Sequence, residues 1–294
     1  MKNYKNDICI NCGSKSLQRF LDLGNQPNGN RFPDPNSNER EAVFPFAMDV
    51  CTDCWQVQLE EFPSPEFLFR DHPYITGINA PVVAHFEKLS RHIIEKFQLE
   101  KNSLIIDIGC NDGTLLSSFA DAEMRVLGVD PGAVTGALCK AKGINVCQSF
   151  WNISTGRALK DLNLLPRIVT ATAVFYHIPD LHDFVDGLRE VMDEDTVFVT
   201  QCVYLKDIIE KNQFDHFYHE HIMIHSLAPL KRLFESHGMR MFDVEFDPIH
   251  GGSFILYVCL STGVHQTTKR MADALVQEEN SRLNTCLLYT SPSP

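Results

Sequence analysis

The chain has 294 residues, 44% hydrophobic and 22% charged, which suffices for one full α/β domain and a smaller one. A formal net charge of −12 without any Lys/Arg cluster argues against a general nucleic-acid binder, since phosphate contacts need clustered cations. There is no basic segment leading an apolar core at the N-terminus and no apolar run of about 18 residues, so no membrane span is expected and the cytoplasm is the expected compartment.

The first chemistry-bearing residues are two C-x-x-C knuckles, Cys9-Ile10-Asn11-Cys12 and Cys51-Thr52-Asp53-Cys54. Each offers two thiolates from one tight turn, and four together make a closed tetrahedral zinc site with no position left for a substrate water, hence a structural one. The other six of the ten cysteines are scattered, mostly within apolar segments, and read as small core residues. Metal would stabilise a lobe too small for its own core, and chelation is expected to unfold it ahead of the rest. Between the knuckles, 23–33 is rich in turn formers and amides and reads either as a polar wall of a ligand cleft or as a solvated loop. The lobe is assigned residues 1–70. A helical segment over 71–102 follows, with its apolar pattern from Val82 to Phe97.

From Ser103 onward strands and helices alternate, which predicts parallel strands in a doubly wound α/β sheet over 103–262. The first strand ends in Ile105-Ile106-Asp107-Ile108-Gly109-Cys110-Asn111-Asp112-Gly113-Thr114, and the second closes on Asp130. These acids at two strand ends border the crevice where ligands of such sheets bind. A dinucleotide loop needs a second glycine two residues after the first, and Asn111 stands there instead. D-x-G-x-x-x-G resembles the first motif of class I S-adenosylmethionine (SAM) methyltransferases. Further strands are expected near Ile144–Cys147, at Ile168–Phe175 and at Thr196–Gln201, with helices at Asp180–Met192 and Leu227–His237. Met241–Phe246 and Ser253–Leu260 read as an antiparallel edge hairpin turning through Pro248–Gly252. A weak helix spans Met271–Leu283, and the Ser-Pro-Ser-Pro end of Cys286–Pro294 looks foreign to the fold.

The densest cluster of titratable groups is Phe214–His225, with four histidines, a tyrosine and two acids in twelve residues. A zinc-protease reading fails because Glu220 is followed directly by His221. A second metal site from His216, His219 and His221 stays open, as does a loop over the crevice without catalytic duty. In an extended segment His219 and His221 would share one face and Tyr218 and Glu220 the other. Acid–base work suits these side chains, because carbon methylation beside a ketone needs a base, and a tyrosine or a protonated histidine can stabilise the enolate.

The four-cysteine module, D-I-G-C-N-D-G, V-F-Y-H-I-P-D, Y-H-E-H with a following serine, and H-G-G-S occur in one order over roughly residues 9 to 260. Together they resemble the sugar C-methyltransferases that act on nucleotide-linked 4-keto deoxysugars. The resemblance implies a class I SAM-methyltransferase Rossmann-like sheet behind a small zinc-binding domain, with SAM and structural zinc as cofactors. His221 would remove the sugar C3 proton, Tyr218 and Glu220 would orient base or substrate, and His177 would stabilise the enolate at the C4 oxygen. Tyr74 in H-P-Y-I-T-G would cover the crevice. Asp107, Gly109 and Gly113 would form the cofactor loop, Asp130 would hold the ribose, and Ser149 would lie near adenine. The zinc ligands would be Cys9, Cys12, Cys51 and Cys54. Members usually continue into a third domain closing the nucleotide-sugar cleft, so 263–294 is expected to be the start of a truncated C-terminal domain. Asn28-Gly29-Asn30 also departs from the small apolar residues more often found before Asn-Arg-Phe. Rival readings are an O- or N-methyltransferase of another small metabolite, and a non-catalytic binding module scaffolded by zinc.

Overall fold

The computed structural model describes residues 3–34, 36, 40–70, 72–281 and 283. The segment from Cys286 to Pro294 lies outside the described residues.

The N-terminal lobe is built from β1 (Asn3–Lys5), β2 (Leu17–Pro27), β3 (Val43–Cys51), β4 (Val57–Leu59) and β5 (Glu61–Pro63). β2, β3 and β4 form an antiparallel meander, and β1 pairs with β5. Half of the stretch read from sequence as a turn-rich loop is therefore strand, because β3 supplies partners as far as Pro27. Its turn formers are absorbed as an irregularity: the register slips between Asp22 and Asn25, where Gly24 takes a φ of +67°.

α1 (Pro65–Phe69) leads through an irregular segment to α2 (Ala80–Lys96), whose first turn carries a proline and is capped by the Asn79 side chain on the Val82 N–H. Val82, Phe86, Leu89 and Ile93 form its buried face, at the spacing of an amphipathic helix.

The chain then alternates through β6 (Leu104–Ile108), α3 (Thr114–Asp121), β7 (Arg125–Val129), α4 (Ala133–Ala141), β8 (Asn145–Cys147), α5 (Ile153–Asp161), β9 (Ile168–Thr172), α6 (Leu181–Val191), β10 (Val197–Val203) and α7 (Leu205–Glu210). After β11 (Met223–Ile224) come α8 (Leu227–Ser236), β12 (Met239–Asp247), β13 (Ser253–Leu260) and α9 (Lys269–Asn280). The large sheet has the order β12-β13-β10-β9-β6-β7-β8, parallel from β8 to β10, with β13 antiparallel to both neighbours. The expected hairpin is thus present at one edge. Strand order reverses between β6 and β9, which opens a crevice at their carboxyl ends. β9 stops short of the expected Phe175, because Ala173 turns to a φ of +57° and a single 3-10 turn follows over Phe175–His177.

The lobe does not close on itself at residue 70. β11 pairs antiparallel with β4, and the Leu59 N–H donates to the Ile222 carbonyl. One apolar core accordingly runs from Phe46, Met48, Val57 and Leu59 of the lobe through Ile222, Met223 and Ile224 to Phe175, Phe184 and Phe234 around the large sheet. Both knuckle loops also dock on this domain. Asn11 donates to the Pro229 carbonyl and accepts at its own carbonyl from His182, while Arg232 donates to the Asp53 carbonyl. The Ser226 side chain does not cap α8, and the buried Glu278 of α9 accepts the Leu227 and Ala228 N–H groups instead.

Candidate active site

The four expected zinc ligands converge. All four Sγ atoms lie within 4.8 Å of one another, with Cys9 to Cys54 at 3.5 Å and Cys12 to Cys51 at 3.7 Å. A tetrahedral site with Zn–S bonds near 2.3 Å sets its sulfurs about 3.8 Å apart, so the donor set fits zinc. The knuckles are near copies of each other: the Gly13 N–H returns to the Cys9 carbonyl and the Trp55 N–H to the Cys51 carbonyl, with φ of +72° and +66°. Cys9, Cys51 and Cys54 are buried and Cys12 is half-buried, as befits a structural ion. Among the described residues no second cluster has metal-ligand geometry.

A cleft of about 690 Å³ lies at the carboxyl ends of the parallel strands, a size typical of small-ligand sites. Asp107, Gly109, Asp130 and Ser149 line it beside Phe150, at the ends of β6, β7 and β8. Gly109 has a φ of +71°, and a Cβ there would lie 2.4 Å from the Val174 side chain, so any other residue would be strained and crowded. Gly113 stands apart from the cleft wall. It starts α3 at a φ of +75°, and a Cβ would meet Cys139 Sγ at 2.6 Å, so its requirement is packing.

Asp130 accepts from the Asn111 and Gly132 N–H groups and the Thr135 hydroxyl at 2.8 to 2.9 Å, which orients its carboxylate while leaving acceptor capacity for a ligand. Asp107 accepts from the Thr170 hydroxyl at 2.6 Å. Burial pushes its carboxyl up to about 7; the Thr170 hydroxyl works against this and the Asp130 charge adds to it. Asn111 does more than replace a glycine. Its side chain accepts from the Thr76 N–H and donates to the Tyr74 carbonyl, occupying the approach that a pyrophosphate would need. Loop and acids fit a single nucleoside with a short cationic arm.

The other half of the wall comes from the ends of β9 and β10, the segment 214–221 and the N-terminal lobe. His177, Tyr218, Glu220, His221 and Tyr74, all expected there, line it with Asn30, His72, Tyr176, His216 and His250. Phe69, His177, His221 and His216 stack in one column, at centroid distances of 5.2, 5.3 and 5.8 Å. The Tyr218 ring lies 4.2 Å from that of His221. His221 directs Nδ1 at the His216 carbonyl (2.9 Å), which fixes the proton on Nδ1 and leaves the Nε2 lone pair free. Burial holds this imidazole well below its ordinary 6.5, with His177 and His216 adding to the shift. His177 is pushed down to about 3, by burial first and His72 second, so it is a neutral imidazole rather than the protonated histidine considered from sequence.

The segment is not extended. The His221 N–H closes a turn on the Tyr218 carbonyl, which rotates His219 out of the cleft onto the Pro45 carbonyl and the edges of Phe44 and Phe46. His219 and His221 therefore do not share a face, and His216, His219 and His221 cannot ligate one ion.

Asn30 and His72 were missed as site residues, although both lie in stretches that stand out in the sequence. Tyr176 had no signal beyond its place beside His177.

Strand order and glycine loop define a class I SAM-dependent methyltransferase. A family described as "Methyltransferase domain" matches residues 83–244, and one described as "Putative zinc binding domain" matches 9–69. The C-methyltransferase NovU of Streptomyces niveus is 30% identical over 284 residues, spanning 96% of this chain and 68% of its own. The chain belongs to the sugar C-methyltransferase family that its motifs resemble, with SAM and structural zinc as its cofactors. Among solved structures, magnesium protoporphyrin IX methyltransferase ChlM of Synechocystis PCC 6803 with bound SAH has 15% identity and a TM-score of 0.47, covering 60% of this chain and 82% of that one. A SAM-dependent methyltransferase of Anabaena variabilis has 13% identity and a TM-score of 0.47, covering 60% and 86%. Among the described residues no helix is long and apolar enough to cross a membrane.

Proposed function

We propose that the chain methylates the carbon beside the ketone of a nucleotide-linked 4-keto deoxysugar. The observation that carries this reading is His221, a buried neutral imidazole with Nδ1 anchored and Nε2 free, in the same cleft as the glycine loop. SAM supplies an electrophilic methyl group when bound, and Asp107, Gly109, Asp130 and Ser149 are the residues that would hold it. His221 Nε2 takes the proton from sugar C3. Charge then develops on the C4 oxygen, and the neutral imidazole of His177, whose buried Nε2 has no partner among the described residues, supplies the polar contact there. Tyr218 packs on His221 and limits its rotation, Glu220 orients the sugar, and Tyr74 covers the cleft.

The test is methylation of a 4-ketosugar nucleotide with ¹³C-methyl SAM in D₂O. A new carbon–carbon bond in the product is expected. His221→Ala should keep affinity for S-adenosylhomocysteine (SAH) yet lose deuterium exchange at C3 by about two orders of magnitude or more. Exchange that persists removes His221 as the base.

One observation favours a second reading: the described residues lining the cleft include no Lys or Arg to meet a diphosphate. A phosphate-free metabolite is then the acceptor. Comparing the nucleotide sugar with the same free sugar separates the two, since the second reading requires the free ketone to react at least as well.

A further inference from the structure

Glu220 is 2% exposed, and an isolated carboxylate at such a depth is costly unless its oxygens find donors. Only one oxygen has them. Oε2 accepts from Asn30 Nδ2 at 2.7 Å and from His72 Nε2 at 2.9 Å, partners 190 and 148 residues away in sequence. Oε1 is buried with no partner among the described residues, in a side chain that lines the cleft.

The donors are themselves held. His72 Nδ1 accepts the Tyr74 N–H at 3.3 Å, so the ring proton sits on Nε2 and points at Glu220. Tyr74 is tied at its carbonyl to Asn111 of the glycine loop. Asn30 sits just beyond the end of β2, and its N–H donates to the Asn28 side chain.

We propose that His72 and Asn30 are positioning residues: they clamp Glu220 through Oε2 so that Oε1 faces the cleft as the acceptor of a hydroxyl on the methyl acceptor. This rests on the reading of Glu220 as a group that orients the sugar. The zinc lobe thereby contributes to the selection of substrate.

The test uses the zinc-replete full chain labelled with ¹⁵N-histidine, the His72 signal being assigned by its absence in His72→Gln. A ring that carries its proton on Nε2 and accepts at Nδ1 is expected, with its signal shifted in Glu220→Ala. A ring protonated on Nδ1, or a signal indifferent to Glu220→Ala, overturns the proposal. In turnover of the 4-ketosugar nucleotide, His72→Ala and Asn30→Ala should each raise the acceptor KM roughly ten- to hundred-fold, the loss of one hydrogen bond to a charged group. SAH affinity should stay within about two-fold. His72→Gln, which can still donate, should recover most of the loss, and His72→Ala should add little to Glu220→Ala. Additive losses, or a His72→Gln as weak as His72→Ala, overturn it equally. Failure of the wild type to methylate this acceptor defeats the functional reading, and the ring spectrum alone then decides whether His72 clamps Glu220.

Discussion

Buried histidines give this protein a pH profile that can be worked out residue by residue. His177 is pushed down to about 3 and His225 to about 4, burial being the main cause, and His221 lies well below 6.5. The unfolded chain binds these protons first as pH falls through about 6.5, so stability present above that pH is lost below it. Each group costs about 1.4 kcal/mol per pH unit once the unfolded form is charged. Asp107 has the opposite sign: at about 7 in the folded state against an ordinary 3.8, it takes its proton folded and gains stability as pH falls between those values. His219, His250 and His265 are lowered too, mainly by burial, so the histidines outweigh it and stability is expected to fall as pH drops below about 6. Urea midpoints at pH 7, 6 and 5 measure this, and a flat series would refute it. Asp130 carries a second residue-scale prediction. Asp130→Ala removes the acceptor for Asn111, Gly132 and Thr135, so SAH binding measured by titration calorimetry should vanish and the melting temperature should fall by a few degrees.

Among the elements, α5 and α6 approach closely enough that a Cβ on Gly156 would lie 2.4 Å from the Gly187 carbonyl oxygen. Gly156→Ala should therefore destabilise the fold by about 1–3 kcal/mol, read by chemical denaturation, with SAH affinity unchanged once folded. Neither glycine signals this in the sequence, because the contact joins positions 31 residues apart. Local signals served well elsewhere. Alternation and turn residues located the parallel strands and the β12–β13 hairpin, and the C-x-x-C spacing located four thiolates that meet in space. What escaped depends on distant partners. β11 is two residues long and exists because β4 pairs with it, so no periodicity could mark it. Asn30, His72 and Glu220 likewise carry no local pattern that links them. His219 and His221, which would share a face only in an extended segment, are separated for the same kind of reason, since the chain turns there.

At the scale of the whole molecule, the shared core changes what metal removal should do. An isolated lobe would melt before the rest, as the spacing of the knuckles suggested. With β11 in the lobe's sheet and both knuckles docked on the large domain, chelation should lower a single transition rather than split off an early one. Calorimetry with and without chelator decides, and a separate early transition would contradict it.

The β4–β11 pairing also bears on how such proteins can change over time. Because the turn carrying Tyr218, Glu220 and His221 is followed directly by a strand that completes the lobe's sheet, the two halves cannot be exchanged like cassettes. Grafting the first 70 residues of a relative onto this chain places a foreign β4 against Met223 and Ile224 and a foreign partner against Glu220. Swaps of that kind should yield soluble hybrids only when both sides of this seam are carried across together, so new acceptor preferences in this lineage are expected to arise by paired substitution along the seam rather than by domain shuffling.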